Sequence, residues 1–219
     1  MAKLESSFKN MLLSLGGISL FAALTLGSVY NVTKEPIEAS KTAKQKNAIT
    51  EVIPGFARLD NPEKVAVSNG DSITVFRAYD AQDKFLGAAV ESVSHQGFSG
   101  DIKIMVGFDA EGNILNYSVL DQKETPGLGT KMVDWFKTEK ANQSIKGKNP
   151  VKNNLTVSKD GGEVDAITAA TISSRAFLDA ISIAYEAYSK NSDGPAADSV
   201  SGATQKSSDE KETTVAVNE

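Results

Sequence analysis

The sequence predicts an α+β protein: an N-terminal transmembrane helix, then one domain of mostly antiparallel strands with flanking helices. Three observations predict it. Residues 10–33 carry no charge. Two pairs of β-type segments each enclose a short polar turn. A later segment places apolar residues at helical spacing. A length of 219 residues leaves room for a sizeable core in one domain.

The uncharged stretch comes first. Residues 11–32 (MLLSLGGISLFAALTLGSVYNV) hold 14 apolar side chains of 22, and the rest are Gly, Ser, Thr and Asn. As a helix they rise roughly 33 Å, enough to cross a hydrocarbon core. Gly16 and Gly17 are small enough to let another helix approach closely, and Tyr30 suits the membrane interface. A cleaved secretory leader with Lys3 and Lys9 at its head is the alternative, but the stretch is long and no A-x-A site follows. Lys3 and Lys9 precede the span and Lys34, Lys41, Lys44 and Lys46 follow it, so lysine placement leaves the orientation open. The expected divisions are a short segment 1–9, a span 10–33, a domain 34–190 and a tail 191–219.

Residues 34–51 read as a helix, with Pro36 tolerable near the start of a new turn, and Ile53-Pro54-Gly55-Phe56 ends it. Segments 73–79 (ITVFRAY) and 85–94 (FLGAAVESVS) form one hairpin. Segments 102–108 (IKIMVGF) and 114–120 (ILNYSVL) form another, around a turn containing Gly112. Two shorter strands are expected at 155–158 and 163–167, around Asp160-Gly161-Gly162. Helices are expected at 132–140 and 173–188; in the latter Phe177, Ile181, Ala184 and Tyr188 share one face. The tail holds six acids against two bases and no aromatic, Leu or Ile. It reads as disordered, and it accounts for most of the formal charge of −5.

Composition excludes whole classes of chemistry. With no Cys there is no disulfide framework, thiolate iron–sulfur cluster or c-type haem attachment. One His, His95, cannot build a multi-histidine metal site. No basic stripe marks a nucleic-acid binder. An electron carrier of this composition would need an organic cofactor held by oxygen and backbone groups.

Two motifs remain. Glu124-Thr125-Pro126-Gly127-Leu128-Gly129 carries Pro then Gly at the centre of a turn, the type II signature. On spacing it is a strand-to-helix turn; the functional alternative is a close backbone approach at Gly129 to a flat ligand, with Leu128 packing on its ring. The second motif is Asp165-Ala166-Ile167-Thr168-Ala169-Ala170-Thr171-Ile172-Ser173-Ser174-Arg175. Thr171, Ser173 and Ser174 suit a helix N-cap. The same geometry suits an anion at the helix start, with small Ala169 and Ala170 leaving room. His95 reads as a solvated loop residue and Trp135 as core. Arg175 either meets a phosphate or pairs with an exposed acid.

Together with the anchor and hairpins, VLDQKETPGLGTKM and DAITAATISSRAF resemble the G subunit of the Rnf ion-translocating electron-transport complex. They are similar also to the C subunit of the Na+-translocating NADH:quinone reductase. The resemblance spans residues 1–190. It implies an FMN-binding domain, an electron relay that is not catalytic alone, and FMN joined covalently through a phosphoester to Thr171. A flavin transferase installs the group with FAD as donor, and Asp165, Thr168, Ala169 and Ala170 match its recognition element. Glu124, Thr125, Leu128 and Gly129 would lie along the isoalloxazine, and Thr168 would also contact the cofactor. The family pattern usually has Gly at Ala169. Asp198-Ser199-Val200-Ser201-Gly202-Ala203-Thr204 repeats the linear pattern in the tail, without a strand before it or a helix after it. The resemblance further implies the bacterial inner membrane, a domain on the periplasmic side, and other membrane and iron–sulfur subunits as partners. A reading from another class is a cofactor-free anchored scaffold, in which both motifs are only turns and caps.

Overall fold

A computed structural model describes residues 8–191. A single helix joins anchor to domain: α1, Phe8–Val52, runs unbroken for 45 residues, roughly 68 Å at 1.5 Å per residue. The expected separate helix at 34–51 is its continuation. Pro36 lies inside it; its ring costs one backbone hydrogen bond, and the turns on either side carry the helix through. The apolar half is exposed, and an 18-residue window reaches a mean hydropathy of 1.9, so by length and composition this helix can cross a membrane.

Six strands form one antiparallel sheet: β1 Arg58–Leu59, β2 Glu63–Ala66, β3 Ser72–Tyr79, β4 Phe85–Ser94, β5 Ile102–Asp109 and β6 Ile114–Asp121. The order is β1-β3-β4-β5-β6, with β2 also pairing along β3. Both expected hairpins are present. Strands β1 and β2 were not legible, because they are two and four residues long and lie on the sheet edge with little apolar patterning.

The central strand β5 is an almost continuous apolar run because both faces are covered. On one face Ile102, Ile104, Val106 and Phe108 pack with helix α3, Thr171–Asn191. Here Phe177, Ile181, Ala184 and Tyr188 are buried as their spacing requires. Phe177 stacks on Phe136 at 4.4 Å between ring centroids and meets Tyr117 edge-on at 4.8 Å. On the other face Ala48, Ile49 and Val52 of α1 close over Phe76, Ala89 and Met105. Gly107 makes that approach possible: a Cβ there would stand 2.2 Å from the Val52 carbonyl oxygen.

Four further expected elements differ. The helix expected at 132–140 is a single turn, α2 Met132–Trp135, preceded by a 3-10 turn Gly129–Lys131. After buried Phe136 the chain is Lys-Thr-Glu-Lys, with no apolar face to hold a helix down. Helix α3 begins two residues earlier than expected and extends further. Segments 155–158 and 163–167 do not form strands. They meet in one parallel bridge, Val157 with Val164, and approach so closely that a Cβ on Gly162 would stand 2.1 Å from the Thr156 carbonyl. Thr204, the tail from 192 onward and Lys3 lie outside the described residues.

Candidate functional site

Two β-turns border one open cleft of about 490 Å3 at the start of α3. In the first, the Leu128 amide donates to the Thr125 carbonyl at 3.1 Å, and Gly127 takes the positive φ, +76°, that a type II turn demands. The Thr130 hydroxyl braces it, accepting from the Gly127 amide at 2.9 Å. In the second, the Ala170 amide donates to the Ile167 carbonyl at 3.0 Å, and Ala169 holds φ +61° in the same third position. That left-handed conformation costs an alanine about 1 kcal/mol, because its Cβ crowds the following carbonyl.

The cleft is lined by Phe98, Thr125, Leu128, Gly129, Ala169, Ala170, Thr171, Ile172 and Ser173. Phe98, Leu128 and Ile172 are 66%, 38% and 48% exposed and stand together on the cleft, unlike the scattered exposed Val133 and Val151. Beneath them Glu124 is buried at 3% exposure and does not line the cleft. One carboxylate oxygen accepts from the Ser173 hydroxyl at 2.5 Å, and the other from the Ser99 amide at 3.0 Å. Glu124 therefore joins three segments: the Phe98 loop, the first turn and α3. Gly129 owes its identity to that junction, since a Cβ would lie 2.7 Å from both the Glu124 Cβ and the Ser173 Oγ. Backbone freedom at Gly129, expected from the sequence, is not the reason; it has no positive φ.

The hydroxyls at the helix start do not act as the expected N-caps. Ser173 turns to Glu124. Ser174 donates to the Ala170 carbonyl and accepts from the Ile167 amide, both at 2.9 Å, which locks the second turn. Thr171, the first residue of α3, is half-buried on the cleft wall. By helix geometry the amides of 171–173 have no intrahelical acceptor, so the cleft floor carries unsatisfied donors and the positive end of a helix dipole.

Asp165 is held within the chain rather than in the cleft. Its carboxylate accepts from the Ser158 hydroxyl at 3.1 Å and the Asn142 amide at 3.2 Å, and its carbonyl accepts from Trp135 Nε1 at 2.9 Å. Trp135 thus packs on the core and aligns the second motif. Thr168 is exposed at the turn's corner. Arg175 pairs with Asp160 through two bonds of 2.7 Å, and the guanidinium holds the Asp160 carboxyl below its ordinary range. His95 is not a lone loop residue: Nδ1 lies 2.9 Å from Asp101 and Nε2 3.1 Å from Asp71. The Asp101 contact, then Asp71, raises its pKa.

A flat ring carrying a phosphate fits this arrangement. The open apolar trio suits the ring; the helix start suits the anion. Similarity to known proteins decides the family. The FMN-binding domain family matches residues 97–186, which include every residue of the cleft. Over 172 residues the chain is 34% identical to the G subunit of an ion-translocating oxidoreductase complex from Haemophilus influenzae, covering 75% of this chain and 82% of that one. The corresponding G subunit of Vibrio vulnificus is 33% identical over 75% and 82% of the two chains. That of Aliivibrio fischeri is 31% identical over 78% and 85%. The chain belongs to the G-subunit family of ion-translocating oxidoreductase complexes.

Of the site residues expected for this family, Thr125, Leu128, Gly129, Ala169, Ala170 and Thr171 line the cleft. Glu124 and Asp165 stand behind it as braces. Ser173, expected only at the helix start, also lines the cleft, and Phe98 and Ile172 line it without having been singled out by the sequence. Two of these carry a signal in the sequence. Phe98 is an aromatic residue set between glycines in a loop. Ile172 precedes Phe177 by five residues, about 140° around the helix from the buried face.

Proposed function

We propose that this chain is the membrane-anchored electron carrier of an ion-translocating ferredoxin:NAD oxidoreductase, with FMN bound as a phosphoester to the Thr171 hydroxyl. The observation that carries the reading is the placement of Thr171: it opens α3 on the wall of an apolar cleft inside the FMN-binding domain match. Phe98, Leu128 and Ile172 would hold the ring, and the first-turn amides of α3 would face the phosphate. Bound FMN supplies one- and two-electron redox chemistry; the domain supplies position and a partly water-excluding wall. The helix α1 would fix the domain at the membrane surface, on the periplasmic side of a bacterial inner membrane. The remaining membrane and iron–sulfur subunits would exchange electrons with it, and a flavin transferase would load it. The chain would be divided for these tasks at about residue 33, between span and domain, and the domain extends to Asn191, one residue past the expected 190, because Asn191 ends α3 and accepts from Arg77.

Co-expression of the full chain with a flavin transferase tests the assignment. Denatured wild-type protein is expected to fluoresce in the gel as a flavoprotein, and Thr171→Ala to be dark. Fluorescence that survives Thr171→Ala but vanishes in Thr204→Ala would move the linkage to the tail. A colourless wild type would favour the scaffold reading.

A further inference from the structure

Three consecutive residues of one turn reach three separate positions of the second motif. The Ser158 hydroxyl donates to Asp165 at 3.1 Å. Lys159 Nζ lies 3.5 Å from Thr171 Oγ1. Asp160 accepts two bonds of 2.7 Å from Arg175. The turn Ser158–Asp160 is itself fixed: the amide of Asp160 donates to the Val157 carbonyl at 2.8 Å, and that of Ser158 to the Val164 carbonyl at 2.8 Å. Arg175, the other cation in this group, is already matched by Asp160. Lys159 is exposed; its charge helps to lower the Asp160 pKa, but among the described residues it makes no ion pair and has the Thr171 hydroxyl as its one hydrogen-bond partner.

We infer that Lys159 is the charge partner of the group attached at Thr171: its ammonium, carried on a turn that the Ser158 and Asp160 contacts fix beside α3, stabilises the negative charge that forms there. The inference rests on Thr171 as the attachment residue. In the loading step the Thr171 Oγ1–phosphorus bond forms and the pyrophosphate P–O bond of the FAD donor breaks. AMP departs with the bridging oxygen, and the hydroxyl proton passes to a base of the transferase or to water. A neutral hydroxyl becomes a phosphodiester with one negative charge. A lysine already at the oxygen meets both the developing charge and the product, and a charge-assisted bond of this type outweighs a neutral one.

Full-length wild type, Lys159→Gln, Lys159→Glu and Lys159→Arg are incubated with transferase and FAD, and the initial rate of covalent fluorescence is followed. Lys159→Gln is expected to slow loading roughly tenfold and Lys159→Glu more, with Lys159→Arg within about threefold of wild type. The 31P resonance of the loaded, folded protein is expected to shift in Lys159→Gln and to coincide with wild type once both are denatured. Circular dichroism confirms that this exposed position leaves the fold intact. A Lys159→Gln protein that loads at the wild-type rate with an unshifted 31P resonance overturns the inference and leaves the Thr171 reading standing. Failure of the wild type itself to load removes that reading, and this inference with it.

Discussion

At Ala169 an alanine occupies a backbone conformation that glycine adopts without cost. The sequence places Ala169 only as one member of a small-residue run; the turn from Ile167 to Ala170 shows why smallness is not all that is asked of it. Ala169→Gly is expected to raise stability by about 1 kcal/mol, a rise in melting temperature of roughly 2–4 °C, as thermal denaturation will show. Loading of flavin should persist, because Ala169 presents only its backbone and a methyl to the cleft. His95 belongs with it among the single-residue effects. Its two carboxylate partners raise its pKa above the ordinary 6.5, so the protonated ring favours the folded state. That contribution is fully present below pH 6.5 and is lost as pH rises through the higher folded value. An NMR titration should place the ring's midpoint above 6.5, and His95→Gln should flatten the pH dependence of stability in that window. The ring is more than half exposed, and solvent screening keeps the effect small.

Among the elements, the decisive junctions are where α1 and α3 meet the sheet. The sequence carried α3 clearly, through Phe177, Ile181, Ala184 and Tyr188. It carried the four long strands as well, because half-buried hairpins alternate and a doubly covered strand such as β5 does not. It did not carry the seating of α1. Residues 34–51 look like an independent polar helix, and only packing shows that Ala48, Ile49 and Val52 close the second face of the sheet. Gly107 is the contact point. Gly107→Ala puts a methyl into the Val52 backbone, and overpacking of this kind costs about 1–3 kcal/mol. The expected result is a lower melting temperature and faster proteolysis between α1 and β1, while the chain stays in the membrane fraction because the apolar half of α1 is untouched.

Across the molecule as a whole, one uninterrupted helix carries the polypeptide from its apolar segment into the base of the domain. The cleft is therefore attached to the anchor through a packed joint and the sheet, with no free linker between them. This would suit the proposed relay, which has to present its flavin at a set height above a membrane. The proposed side of the membrane can be tested simply, since the chain has no native cysteine. A single Thr138→Cys, exposed beyond α2, is expected to react with a membrane-impermeant maleimide in cells whose outer membrane alone has been opened. Labelling only after the inner membrane is breached would reverse the orientation.

The apolar anchor, the two hairpins, the amphipathic closing helix and the Pro-Gly turn are all written in neighbouring residues, as charge, as periodicity or as turn chemistry, and so could be read from the chain alone; the turn at 167–170 could not, because no Gly or Pro marks it. Which motif residues line the cleft and which brace it was settled by packing. Folding buried Glu124 between Ser99 and Ser173, drew Asp165 back to Ser158, and brought Phe98 and Lys159 to Thr171. Most of these meetings join residues far apart in the chain, and their geometry follows from how α3 and the sheet pack rather than from any local pattern.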